Sequence, residues 1–155
     1  VVIRANETTA PLEKQISQGR SVLSTGAILT GIGKYRTQLQ IVGCCSTVKL
    51  NNGESVKFIV RAVDNNTDPL AIIKIFKFES KSKYRRAEVA STNTFGTTKT
   101  NNLNYVSFSA KRYGKSSYII TPLVALEPGE YGITVSNPNA VDEKQTVVSA
   151  FAVEK

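Results

Sequence analysis

The sequence predicts an all-β fold, an antiparallel sandwich of about eight or nine strands. Three observations carry that expectation. From Tyr35 onward, short segments alternate apolar and polar residues with the two-residue period of a half-buried strand. Turn residues punctuate them at short intervals, in "NNGE" (51–54), "DNNTDP" (64–69) and "EPGE" (127–130). The body is rich in Thr, Ser, Asn, Val and Ile, which suits strands and turns better than helices. No strand–helix alternation, heptad or internal repeat competes with this pattern.

The first thirty residues are broken by Pro11, Gly19 and Gly26, and Gly31 and Gly33 follow. "LEKQISQG" reads either as a short helix ending at Gly19 or as an edge strand. The expected division is therefore an N-terminal extension or edge segment over 1–34 and a single β-sandwich domain over 35–155. In "RTQLQIVG", Leu39 and Ile41 point one way while Gln38 and Gln40 point the other. "TVKL" repeats the rhythm before the turn at Asn51, Asn52 and Gly53. "SVKFIVRAV" puts Val56, Phe58, Val60 and Ala62 on one face, with Lys57 and Arg61 on the other. In "AIIKIFKF", Ile72, Phe76 and Phe78 share one face and Ile73 and Ile75 the other, so this run is buried on both faces near its start. "ESKSKYRRAEV" ends one strand and begins another, and "ASTNTFGTTKTNN" from Ala90 to Asn102 reads as a long hairpin loop. "YVSFSAK", "SSYIITPL", "YGITVSN" and "TVVSAFAV" complete the strands, with turns at Gly114 and Gly129 and a loop at Pro138.

The absent residues exclude whole classes of chemistry. The chain has no His and no Trp, which removes His-based triads and His-ligated metals. The two cysteines, Cys44 and Cys45, are adjacent. One peptide link holds their Cα atoms closer than the usual disulfide separation, so two reduced thiols at a strand end are expected; a redox pair or an intermolecular bridge are the alternatives. "TGIGKYR" resembles a nucleotide-binding loop but lacks Ser or Thr after Lys34, and Arg36 stands where a third Gly is needed. Glu54, Asp64, Asp68, Glu79, Glu88, Glu127 and Glu130 are scattered, and no spacing selects a facing pair for glycoside hydrolysis. Asp64 and Asp68 flank a turn and are expected to cap it rather than hold Ca²⁺. No catalytic, cofactor-binding or metal-binding residue is assigned, and the chain is expected not to be an enzyme.

A length of 155 residues fits one domain, which buries roughly 70% of its unfolded surface. No run of ~20 apolar residues is present to span a bilayer as a helix. A start at Val1 rather than Met suits either a processed mature protein or a trimmed chain.

"LEPGEYGITV" (126–135) is the most informative stretch. Pro128 presets a turn, Gly129 supplies a backbone that a side chain would obstruct, and Leu126 can plug the end of a sandwich. Tyr131, Ile133 and Val135 then share a face. A Leu-x-Pro-Gly-x-Tyr run before the penultimate strand resembles the tyrosine corner of immunoglobulin-like and fibronectin-type III-like domains. That resemblance implies a buried Tyr131 whose hydroxyl bonds nearby backbone. "FIVRAVDNNTDP", "IIKIFKFESKSKYRRAEV", "AKRYGKSSYIITP" and "LEPGEYGI" together, over roughly residues 37–135, look like uncharacterised exported proteins of Bacteroides-type bacteria. This second resemblance implies an exported, extracytoplasmic domain (periplasm, cell surface or secreted), and it transfers no functional residue.

Charge is the one feature that points to a partner. The chain carries 20 basic and 12 acidic residues, net +8. Residues 74–115 hold ten basic residues against Glu79 and Glu88, so this segment accounts for the whole excess. Lys81, Lys83, Arg85, Arg86, Lys111 and Arg112 are expected to form one exposed basic face, with Tyr84 and Tyr113 interleaved, if adjacent strands bring 81–86 beside 111–115. Such a face would hold an acidic polymer, or less readily single-stranded nucleic acid, by charge and stacking. The first reading of such a face, ahead of any ligand, is a solvated surface whose lysines guard edge strands. The leading expectation is a non-catalytic binding or adhesion module, with an assembly subunit pairing through edge strands and basic-face binding as the alternatives.

Overall fold

The computed structural model describes residues 1–23, 34–64, 66–93, 98–99, 104–136 and 145–155. Its elements are β1 (Val2–Ile3), β2 (Thr9–Ala10), β3 (Glu13–Leu23), β4 (Lys34–Val42), β5 (Lys49–Leu50) and β6 (Lys57–Arg61), then a single helical turn, α1 (Pro69–Ile72). They continue as β7 (Ile73–Ser80), β8 (Tyr84–Asn93), β9 (Thr98–Lys99), β10 (Phe108–Tyr113), β11 (Ser117–Pro122), β12 (Gly129–Val135) and β13 (Gln145–Val153). The fold is all-β. One sheet runs β10-β11-β6-β1-β2 and the other β12-β7-β8-β4-β3-β13-β5. Among the described strands the pairings are antiparallel except for the short parallel contact between β5 and β13.

The second sheet closes on itself. β12 pairs with β7 through six residues and with β13 through six more. Strands β7, β8, β4, β3, β13 and β12 therefore form a ring, joined between β7 and β8 at Glu79–Arg86 and Ser80–Arg85. Asn104 and Val106 take up part of the remaining β7 edge, through Lys77 N–H to Asn104 O and Val106 N–H to Ile75 O.

Two strands of this ring, β7 and β13, are apolar on both faces over much of their length, while β12 is apolar on one face and carries Glu130, Gly132 and Thr134 on the other. Ile73 and Ile75 of β7, Tyr131 and Ile133 of β12, and Phe151 and Val153 of β13 pack against Val2, Phe58, Val60, Phe108, Tyr118 and Ile120 of the other sheet. The opposite faces of β7 and β13 place Phe76, Phe78, Val148 and Ala150 inside the ring, against Ile41 and Ala87. The wall of β7, β12 and β13 thus serves a sandwich on one side and a barrel-like core on the other. Strand alternation permits this only where odd and even positions are both apolar or small.

Residues 1–34, expected as an extension or edge segment, supply β1, β2 and an inner strand. β3 lies between β13 and β4, with Ala150↔Glu13 and Gln18↔Gln40 as register pairs. Its sequence lacks an apolar stripe because its inward positions include Glu13, at a polar end of the ring, and the buried Ser17. The run at 71–78 also differs from expectation. Asp68 caps a helical turn by accepting from Leu70 N–H at 2.9 Å, with Pro69 at its first position. Ile72 lies in that turn and joins Ile73 and Ile75 in the inter-sheet core, not Phe76 and Phe78. β8 continues to Asn93 and pairs with β9, so the hairpin loop expected from Ala90 begins later. The rest of that loop, and Pro138, lie outside the described residues.

Gly132 marks where the shared wall is thinnest. A Cβ there would stand 2.8 Å from Phe78 Cε2, 2.8 Å from Val148 Cγ1 and 3.0 Å from Phe76 Cζ. Gly132→Ala is expected to destabilise the protein by about 1–3 kcal/mol through overpacking. Urea denaturation measures it, and unchanged stability would contradict the packing described for this wall.

Candidate functional site

The anticipated basic face does not assemble. Arg85 is fully buried, with a relative exposure of 0%. It alternates with Tyr84 and Arg86 along β8 and, like Ala87, points into the ring. Lys81 and Lys83 are exposed in the bend before β8. Lys81 Nζ and Arg86 Nε both bind Glu79, at 2.6 and 2.9 Å, and Arg86 also lies 5.7 Å from the Tyr84 ring centroid. Hydrogen bonds from Lys81 and then Arg86 bring the Glu79 carboxyl down to about 2. Lys111, Arg112 and Tyr113 are exposed, but on β10 at the edge of the other sheet. The two basic segments are therefore not on adjacent strands.

Arg85 is instead the centre of a polar plug. Its Nη2 donates to Glu13 Oε1 at 3.0 Å and its Nη1 to Glu130 Oε2 at 3.2 Å. Nε reaches Gly43 O at 3.0 Å and Nη2 also reaches Val42 O at 3.3 Å. The same carboxylates hold the loop after β4: Thr47 N–H donates to Glu13 Oε2 and Ser46 N–H to Glu130 Oε2, each at 2.9 Å. Burial opposes ionisation of Glu13, but hydrogen bonds from Gln15, Thr47, Ser46 and Arg85 together outweigh it and lower its carboxyl to about 2. Two carboxylates converge here, yet both are committed to the guanidinium and the loop backbone.

That loop holds a disulfide between Cys44 and Cys45, which corrects the expectation of free thiols. In a strand, neighbouring side chains point to opposite faces. Here β4 has ended, Gly43 adopts φ +87°, and the irregular bend brings both sulfurs together. Ser80 Oγ donates to Cys44 O and Gly43 N–H to Lys83 O, tying the bend to the β7–β8 connection.

At the other candidate location, Tyr131 is 3% exposed and its hydroxyl donates to Glu127 O at 2.7 Å, four residues upstream. Its ring stacks on Phe151 at 5.3 Å with 9° between planes. Burial, and then the Glu127 charge, push the phenol up, against the opposing effect of the hydrogen bond. Gly129 adopts φ +152°, and a Cβ there would meet Lys77 Cε at 2.6 Å. Leu126 is buried at 9% exposure. Leu126, Pro128, Gly129 and Tyr131 thus make a structural corner.

Asp64 and Asp68 cap turns, Asp64 Oδ1 accepting from Asn66 N–H at 2.8 Å. Among the described residues no group of three or more His, Cys, Asp or Glu side chains is placed to hold a metal, and no helix is long and apolar enough to cross a membrane.

A groove opens where the short strands end. β1 and β2 have two residues each and leave part of the β3–β13 face uncovered. The resulting cavity, about 390 Å³, is lined by Val1, Pro11, Leu12, Ile59, Val60, Ile133, Val135 and Val147, with Lys14, Arg61 and Ser149. A further hollow of about 370 Å³ continues it past Lys14 and Arg61 to Val63 and Ser136. Ile16 and Val147, which are register partners, stay 66% and 57% exposed beside it. Lys14 and Arg61 are exposed, and among the described residues neither has a carboxylate within ion-pair distance. Sequence reading placed Arg61 on an outward face but had no means to bring Lys14 to it, because that requires the inner position of β3. No protein-family model matches the chain, nor does any curated protein or solved structure.

Replacing Arg85 with Ala would leave two carboxylates buried without their cation. The expected loss is about 3–5 kcal/mol in urea denaturation. Arg85→Met combined with Glu13→Gln and Glu130→Gln should recover much of it; a cost below about 1 kcal/mol for Arg85→Ala would refute the plug. Because the folded-state pKa of Glu13 is depressed, its contribution is complete above the ordinary carboxylate value of 4.5 and is lost as pH falls through about 2. The denaturation midpoint should therefore decline across that window, and Glu13→Gln should make the decline shallower. An identical acid limb in both proteins would contradict the assignment.

Proposed function

We propose that the chain is a non-catalytic, extracytoplasmic binding module of immunoglobulin/fibronectin-III-like type, and that its ligand seat is the groove bordered by Lys14 and Arg61. The groove carries the reading. It combines an apolar lining with two exposed cations at its border, the composition that recognises an extended apolar molecule bearing negative charge. The corner at Tyr131 supports the immunoglobulin-like class. The Cys44–Cys45 disulfide supports an oxidising compartment, in keeping with the resemblance to exported Bacteroides-type proteins. The basic-face alternative loses its support with the burial of Arg85 and the separation of 81–86 from 111–113 on different sheets.

Decanoate, an apolar anion, is a suitable probe. Calorimetric titration should detect binding, and Lys14→Glu with Arg61→Glu should weaken it by about tenfold. Lys111→Glu with Arg112→Glu should leave it unchanged. Absence of binding, or equal weakening by both pairs of substitutions, would overturn the assignment of the seat.

A further inference from the structure

We infer that Asn52 is a self-modifying site: in the folded protein its side-chain amide is lost as ammonia, and the isoaspartyl product loosens the clamp that Glu54 places on the turn between β1 and β2. The site lies apart from the groove and does not depend on it. Asn52 is the only asparagine in the chain that glycine follows. Asn52 and Gly53 are both exposed, in the turn between β5 and β6. Nothing lies within 4 Å of the place a Gly53 Cβ would occupy. Among the described residues neither the Asn52 amide nor the Gly53 N–H has a hydrogen-bond partner.

The reacting atoms are neighbours in the chain. Gly53 N, after losing its proton to hydroxide, attacks Asn52 Cγ. A C–N bond forms, the Cγ–Nδ2 bond breaks, and the amide nitrogen leaves as ammonia. Water then adds to one of the two carbonyls of the resulting cyclic imide and opens it. Opening at Cγ gives aspartate; opening at the main-chain carbonyl gives isoaspartate, whose backbone runs through Cβ and Cγ. Overall one water is consumed, one ammonia is released and a carboxylate replaces the amide, with no oxidant or reductant. A side chain on the attacking residue crowds the approach to Cγ, whereas glycine reaches attack geometry readily. Asn6 and Asn66 are followed by Glu7 and Thr67. The Asn6 amide oxygen is also held, by Thr8 N–H at 3.1 Å and Thr8 Oγ1 at 2.5 Å.

The bonds around this turn give the reaction a structural consequence. Glu54 N–H donates to Asn51 O at 3.1 Å, and Asn51 N–H donates to Glu54 Oε2 at 3.0 Å. These two bonds bracket the reacting pair and fix the Glu54 carboxylate. Its Oε1 accepts from Arg4 Nε at 3.1 Å and from Ala5 N–H at 3.4 Å, and Arg4 Nη2 also donates to Lys49 O at 2.8 Å. An isoaspartyl residue adds one carbon to the main chain between Asn51 and Gly53, so the two bonds across the turn cannot both keep their lengths. Aspartate brings the same charge without the extra carbon.

The test incubates the folded protein in warm neutral buffer. Peptide mapping by mass spectrometry should find the amide lost at Asn52 at least about tenfold faster than at Asn6 or Asn66. An isoaspartyl methyltransferase should label the same peptide, and Asn52→Gln should abolish the label. The isoaspartyl form, separated chromatographically, should unfold at a lower urea concentration than the Asn52→Asp variant. Equal rates at Asn52, Asn6 and Asn66 would overturn the site. So would a rate in the folded protein more than about tenfold below that in the urea-unfolded chain, since the turn would then protect Asn52. Aspartate without isoaspartate would overturn the imide route. Coinciding urea midpoints for the isoaspartyl form and Asn52→Asp would overturn the loosening of the clamp.

Discussion

A guanidinium without access to water fixes how the ring of strands ends. Desolvating an arginine is unfavourable by several kcal/mol, and only a complete set of partners offsets it. Arg85 obtains that set from places distant in sequence: Glu13 on β3, Glu130 on β12, and the carbonyls of Val42 and Gly43 after β4. Each carboxylate then uses its second contact to hold a backbone N–H of the loop that carries the disulfide. One cation thereby sets the relative position of four ring strands and a loop. The apolar interior needs such a lid, because Phe76, Phe78, Val148 and Ala150 would otherwise meet solvent at the open end.

The same packing economy governs the wall between the two cores. β7, β12 and β13 have no solvated face along much of their length, so their residues satisfy two partners in alternation. Phe58 and Phe151 meet at 4.9 Å across the sandwich, whereas Phe76 and Phe78 meet edge-on at 5.0 Å inside the ring. Gly132 lets β12 pass over those two rings. The groove is the counterpart of this arrangement. The first sheet is too short on its β1–β2 side to reach the end of the wall, and the residues it leaves uncovered are those facing the cavity.

Much of the architecture was legible because period-two alternation is local. The faces of 56–62, the two-sided burial of β7 and the turn chemistry at Asp64 and Asp68 follow from neighbours in sequence. The orientation of Arg85 was also legible in principle, since it shares the parity of the small, inward Ala87; the density of surrounding positive charge drew the reading outward. Glu13 and β3 were not legible. The inward positions of β3 include Glu13, which serves the plug, and the small polar Ser17, so an inner strand lacks the apolar stripe that ordinarily reports burial. The Cα separation of adjacent cysteines argues against a disulfide, but the bend after β4 brings the two sulfurs together all the same. The groove is a product of strand lengths and of β3 lying beside β13, and neither is written in any short segment.

The placement of β3 also dictates an order of events. Its neighbours are β4, the next described strand, and β13, the last described one. β13 itself stands between β3 and β12 and carries the short contact with β5. While the chain emerges from a ribosome, the ring stays open until its final nine-residue strand is free, and the shared wall lacks one of its three members. Phe76 and Phe78 lack their ring partners Val148 and Ala150 during that interval, and closing loops of more than a hundred residues is slow. Ring closure therefore waits for β13, and a nascent chain that has not yet released β13 is the species most in need of protection from aggregation.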